Sequence, residues 1–212
     1  MELSLVGKIA VYALPVIFAI TVHEAAHGYA ARHFGDNTAA EAGRISLNPL
    51  RHIDPIGTIL IPLLTLFAGG ILFGWAKPVP VNFARLHHPK KDMLWVAAAG
   101  PGSNLAMALL WALAYKFSPA FGESIALPLS LMAQAGVTIN VVLLVLNLLP
   151  LPPLDGGRIA VSLLPHPLAW KFARLERYGF IILIVLLLTG ILGKIMGPPI
   201  DATINLISWF IS

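Results

Sequence analysis

The sequence predicts an all-α polytopic membrane protein of about five membrane helices, with a re-entrant or looped segment and a short edge strand between the first two core helices. Three observations predict it. Of the 212 residues, 58% are hydrophobic and only 11% charged, a balance that soluble domains do not reach. Five apolar stretches punctuate the chain, at Leu5 to Ala31, Ile56 to Phe73, Met93 to Phe117, Ala126 to Leu149 and Tyr178 to Met196. The second of them is short and broken, and ends in an alternating, proline-containing run. No internal repeat or low-complexity tract appears, so residues 1–212 read as one membrane-embedded domain.

Each element follows from its composition. Four stretches reach the roughly 20 residues that carry a helix across about 30 Å of hydrocarbon. The first has its lysine, Lys8, inside the run, and no small-x-small cleavage site follows; it reads as a helix and not as a removed leader. "PIGTILIPLLTLFAGGILFGWAKPVPVN" holds an internal proline and a Gly-Gly pair, which argues for a re-entrant or looped path. Its end, "GWAKPVPVN", alternates with proline at every second position, as an edge strand does. The closing "PPIDATINLISWFIS" has apolar residues at helical spacing, leaving an interfacial helix and a partial span both open.

Cysteine is absent, which excludes disulfides and thiolate metal ligands. The net charge of +4 comes from basic residues in short loops between apolar runs. That pattern fits juxtamembrane anchoring, not a nucleic-acid footprint.

One stretch, "TVHEAAHGYAARHFGD", places polar residues inside an apolar run. His23 and His27 are four apart, about 40° of rotation and about 6 Å of rise on a helix, so their imidazoles share a face. With Glu24 this is H-E-x-x-H, in which two histidines hold Zn2+ and the glutamate is general base toward water. A charge at mid-membrane costs about 2.5 to 3.5 kcal/mol on insertion scales, so surface decoration is a poor account of Glu24.

Two imidazoles leave zinc a protein ligand short. His33 faces away, and His52, His87, His88 and His166 fall in polar loops where a solvated histidine is the ordinary reading. Asp155 ends "NVVLLVLNLLPLPPLDGGR", where prolines preclude a regular helix and the two glycines allow close approach. It reads as the third ligand, the alternative being an N-cap to a helix starting near Arg158.

With "HEAAHGYAARHFGD", "GRISLNPLRHIDPIG", "FGWAKPVPVN", "AAAGPGSN" and "NLLPLPPLDGGR" in this order, the chain resembles the site-2 protease family of intramembrane zinc metalloproteases. The resemblance implies that His23, His27 and Asp155 ligate zinc, that Glu24 activates water and that Asn147 helps hold the oxyanion. Asn104, in "GPGSN", matches a family block and is placed with the substrate-binding cavity, the plainer alternative being interhelical hydrogen bonding, which is the reading for Asn140. The PDZ or CBS modules that many members carry have no counterpart in these residues, so the compact form of the family is expected.

Topology gives a test. Ligands on one ion share one depth, so the two helices whose C-terminal ends carry them must run parallel. One of the two intervening stretches then does not cross, and the broken one is the candidate. On that reading the loops Arg32 to Lys91 and Arg158 to Arg177 share a face holding eleven of the fourteen lysines and arginines, against a nine-to-five split if the stretch crossed. The larger bias assigns both loops, and the zinc, to the cytoplasmic side of the cell membrane.

The edge strand has a use there. A helical substrate must unwind before water attacks, and an edge supplies replacement backbone partners. Val79 and Val81 are assigned to that role, the plainer alternative being a strand that packs the loop down.

The expected protein is therefore a zinc endopeptidase cutting membrane-spanning or membrane-associated segments within the lipid bilayer, its oligomeric state left open. Readings of another class are a metal-ion transporter, which needs ligands at successive depths, and a catalytically silent scaffold.

Overall fold

The structure, a computed structural model, describes residues 5–60 and 76–211. The expected looped stretch over residues 56–74 lies largely outside them. Its entry, Pro55–Leu60, is a single wide helical turn, opened by Asp54 accepting from the N–H groups of Ile56 at 2.9 Å and Gly57 at 2.7 Å.

Eight α-helices follow in order among the described residues: α1 Leu5–His33, α2 Thr38–Glu41, α3 Pro89–Phe117, α4 Glu123–Leu148, α5 Asp155–Leu163, α6 His166–Ala173, α7 Glu176–Leu188 and α8 Ile191–Ile211. Three regions are long and apolar enough to span a bilayer: Ala10–His33, Pro89–Phe121 and Ser124–Leu148. The molecule is thus an all-α membrane protein.

Small residues build its centre. Ala19 and Ala25 on α1, Ala97, Ala108 and Ala112 on α3, and Ala133 and Ala135 on α4 are all buried, so these three helices approach closely. In lipid, close approach replaces the hydrophobic drive that water would supply. Large side chains such as Phe18, Leu110 and Leu127 stay exposed, where acyl chains would cover them.

Local chemistry sets the ends. Gly35, at φ 104°, closes α1, with the Asp36 N–H donating to Ala31 O at 2.9 Å. α3 starts at Pro89, four residues before its apolar run, because the His88 N–H donates to the Asp92 carboxylate at 2.6 Å and Pro89 sits in the first turn.

The last apolar stretch departs from expectation. It is not one helix from Tyr178 to Met196: α7 stops at Leu188, Gly190 takes φ 72°, and α8 leaves at 85° to it. The closing residues are not a separate piece either, since α8 runs unbroken through Pro198 and Pro199 to Ile211. α7 is too short to cross alone, so the pair amounts to at most one further span. Its inner face joins α3 and α4 in an apolar core of Val141, Val145, Leu183, Leu192, Met196 and Ile207.

Residues 76–82 have no helical structure, and no strand pairing occurs among the described residues. Two side chains and one backbone carbonyl hold this segment. Arg44 donates to Lys77 O at 2.8 Å, His52 O accepts the Lys77 N–H at 2.9 Å, and the Asp36 carboxylate accepts the Asn82 N–H at 2.6 Å. His52, expected in solvent, is instead buried, its Nε2 2.8 Å from Ser46 O.

Candidate metal centre and active site

Because Cβ atoms four apart on a helix stack on one face, α1 presents His23 and His27 together. Their Nε2 atoms are 3.1 Å apart. Each ring is fixed at its other nitrogen: His23 Nδ1 lies 2.6 Å from Asn104 Oδ1, and His27 Nδ1 lies 2.8 Å from Val96 O. Both acceptors are on α3, and both require Nδ1 to donate, which leaves the Nε2 lone pairs free.

Asp155 comes from the far side of the cleft. It is the first residue of α5, whose N-cap position is taken by Leu154. Asp155 Oδ2 lies 3.2 Å from His23 Nε2 and 3.3 Å from His27 Nε2. This oxygen is buried and has no hydrogen-bond partner, which the N-cap alternative does not account for.

The glycines explain how α5 gets there. A Cβ on Gly156 would fall 2.3 Å from Leu148 O, and one on Gly157 would fall 2.3 Å from the Pro152 nitrogen. The Gly-Gly pair lets the start of α5 fold flat against the end of α4, bringing Asp155 back to the level of the histidines.

The three atoms fit a metal ion. Ligand atoms about 2.0 to 2.1 Å from one tetrahedral ion are about 3.3 Å from each other. The separations here are 3.1, 3.2 and 3.3 Å, in a buried group of two nitrogens and one carboxylate oxygen. Gly100, which the sequence reading passed over, completes the cradle. A Cβ there would fall 2.4 Å from His27 Nε2 and 2.6 Å from His23 Nε2, in the space such an ion needs.

These groups open onto one cavity of about 820 Å³. Glu24 lines it beside Val79, Val81 and Asn147. Glu24 Oε2 accepts the Val79 N–H at 2.7 Å. Asn147 spends one amide proton on Leu143 O of its own helix, at 3.0 Å, and retains the other.

Asn104 is placed differently from its expected role. It is fully buried and does not line the cavity. Its Oδ1 orients His23, while its amide donates to Asn140 Oδ1 at 2.9 Å and Ala19 O at 3.3 Å. Asn140 passes its own amide to Gly136 O at 2.9 Å, so the pair links α1, α3 and α4 through one satisfied network.

Arg158, one turn after Asp155, also lines the cavity, with its guanidinium 5.1 Å above the Phe83 ring. Asp36 carries no signal of its own in the sequence. Burial alone would raise its carboxyl, but hydrogen bonds from Thr38 and Asn82 outweigh that and hold it below the ordinary value.

Comparison with known proteins follows the same line. A model of "Peptidase family M50" matches residues 116–189. The "Putative zinc metalloprotease YwhC" of Bacillus subtilis is 40% identical over 193 residues, covering 89% of this chain and 85% of the relative. The "Putative zinc metalloprotease Rip2" of Mycolicibacterium smegmatis is 32% identical over 198 residues, covering 91% and 72%. Its namesake in Mycobacterium tuberculosis H37Rv is 30% identical over 182 residues, covering 84% and 66%. No solved structure matches.

Proposed function

From its membership of peptidase family M50, the site-2 family of zinc metalloproteases, to which this chain belongs, we propose that it is an intramembrane endopeptidase. It hydrolyses peptide bonds in membrane-spanning or membrane-associated segments, near the cytoplasmic side of the cell membrane. Release of a regulatory fragment is one outcome of such a cut. The observation that carries this reading is the meeting of His23, His27 and Asp155 with Glu24 in one cavity, the histidines and the glutamate on a helix of membrane-spanning character.

In this reading one membrane-embedded domain carries the whole site. The bent pair α7–α8 serves as the fourth crossing beside α1, α3 and α4, and the stretch over 56–74 re-enters without crossing. The zinc ligands then sit toward the leaflet that bears the basic loops.

His23, His27 and Asp155 hold the zinc, whose chemistry when bound is to polarise the scissile carbonyl and acidify water. Asn104 and Val96 O keep the two imidazoles in the ligating tautomer. Glu24 takes the proton of the attacking water and returns it to the leaving amine. Oε1 is the atom for this work, since Oε2 is engaged by Val79. Asn147 turns its remaining amide proton to the developing oxyanion. The segment around Val79 and Val81 receives the unwound substrate as an edge strand.

Purified wild-type protein and Glu24→Gln, offered the same membrane segments, test the reading. The variant should retain zinc and lose about 10²- to 10⁴-fold in rate, the range for general acid–base catalysis. Equal rates would remove Glu24 from its role. Substituting Val79→Pro tests the strand, and unchanged cleavage would count against it.

A further inference from the structure

Val79 and Val81 lie two residues apart on the same cavity wall, yet their backbones are not equivalent. The Val79 N–H is already spent on Glu24 Oε2, at 2.7 Å. Val81 has no hydrogen-bond partner among the described residues. One amide cannot fully serve both a catalytic carboxylate and an incoming chain.

The surroundings sharpen this contrast. Val79 is buried, and its Cγ1 would lie 3.3 Å from a Cβ placed on Gly28, one turn after Glu24 on α1. The backbone before it is fastened by Arg44 and His52, and the backbone after Val81 is fastened by Asp36. Pro78 and Pro80 have no N–H to offer. Between the fasteners, Val81 is the residue whose backbone donor and acceptor both lack a partner among the described residues, and it lines the cavity.

We infer that the two valines divide the work. The Val79 N–H is a positioning group: it fixes one oxygen of Glu24 and so aims the other at the reacting water. The Val81 backbone is the docking point for an extended apolar substrate. Pairing therefore starts at Val81, and the scissile bond falls where the ladder lacks a donor, beside Val79 and its glutamate. This inference rests on the endopeptidase reading and adds a register to it.

The test uses the full chain in lipid nanodiscs, loaded with zinc, with an internally quenched apolar peptide that the wild type cleaves. A main-chain ester, introduced as the α-hydroxy acid of valine, removes one N–H and no side-chain atom. At position 79 it should lower kcat by about tenfold or more with KM nearly constant, because a hydrogen bond to a charged group is lost. At position 81 it should raise KM several-fold. Equal effects at both positions, or the reverse split, overturn the inference.

A second measurement needs no turnover. In metal-free protein, the Val79 amide should exchange its hydrogen at least about tenfold more slowly than in Glu24→Ala, since the carboxylate shields it. Equal exchange rates refute the positioning role. That readout stands even if no peptide is cleaved, a result that would instead sink the endopeptidase reading.

Discussion

The two walls of the cavity are built on opposite plans. The wall formed by α1, α3 and the start of α5 is helical and small-residue-packed, and the groups behind its three facing atoms are committed: His23 Nδ1 to Asn104, His27 Nδ1 to Val96 O, Asn104 to Asn140. The facing wall, residues 76–82, has no regular structure and is pinned by side chains reaching from elsewhere. On the proposed reading the difference matches what each wall would do. A metal ion tolerates little displacement of its ligands, so their partners would be rigid; a peptide varies in sequence, so the wall meeting it would leave backbone groups open.

If the helical wall is a cradle shaped around an ion, the largest effect should come from filling it. Gly100→Ala should abolish tight zinc retention, measured by metal analysis after dialysis against a mild chelator, because its methyl group occupies the ion's place. A variant that keeps stoichiometric zinc would break the comparison at its strongest point.

Next comes the network behind the ligands. Asn104→Ala should weaken zinc binding by about 10- to 100-fold while leaving the three ligands present, as loss of an outer hydrogen bond to a ligating histidine does. A competition titration with a fluorescent chelator reads this directly. Asp155→Ala should fall well below Asn104→Ala in the same titration, and equal affinities would make the carboxylate no ligand.

The pinned wall should respond more gently. Removing one fastener, as in Asp36→Ala, should cost about 1 to 3 kcal/mol of local stability, seen as faster proteolysis near residue 82. The pH dependence has a definite sign. Because the folded carboxyl titrates below its ordinary value near 3.8, its contribution is complete above that value and is lost as pH falls through the lower, folded one. Wild type should therefore approach Asp36→Ala in susceptibility under strong acid, and a gap that widened in acid would contradict the assignment.

The smallest effect marks the edge of both walls. Arg85 and Glu41 are paired at 3.2 Å but largely exposed, so Glu41→Gln should change thermal stability by under about 1 kcal/mol.

What could be read from the sequence follows the same division. That His23, Glu24 and His27 would come together was legible because residues spaced by four on one helix define a face, and that Asp155 would join them because prolines and glycines at an apolar run's end announce an irregular, buried turn. The span of α1, α3 and α4 was legible from length and hydropathy. Gly100 was not, since a glycine among alanines looks like ordinary helix packing until the histidines opposite, some 75 residues away, are in view.

Asn104 was assigned to the cavity because its block carries the family likeness, while its actual partner is set by how α3 rotates against α1. The break at Gly190 was hidden by the Leu- and Ile-rich residues on both sides, which satisfy a helix pattern whether or not the axis turns. Asp36 and His52 were obscured because loop polar residues read as solvated unless their distant backbone partners are known.

Pro78 and Pro80 carry a last consequence. A sheet margin with unspent amides, exposed in a crowded bilayer, is an invitation to polymerise with its neighbours. Here every second position is incapable of donating, and Arg44 already caps the carbonyls of Lys77 and Pro78. On the proposed reading the segment can therefore receive a peptide from the cavity side while offering adjacent molecules too few contacts to grow a fibre.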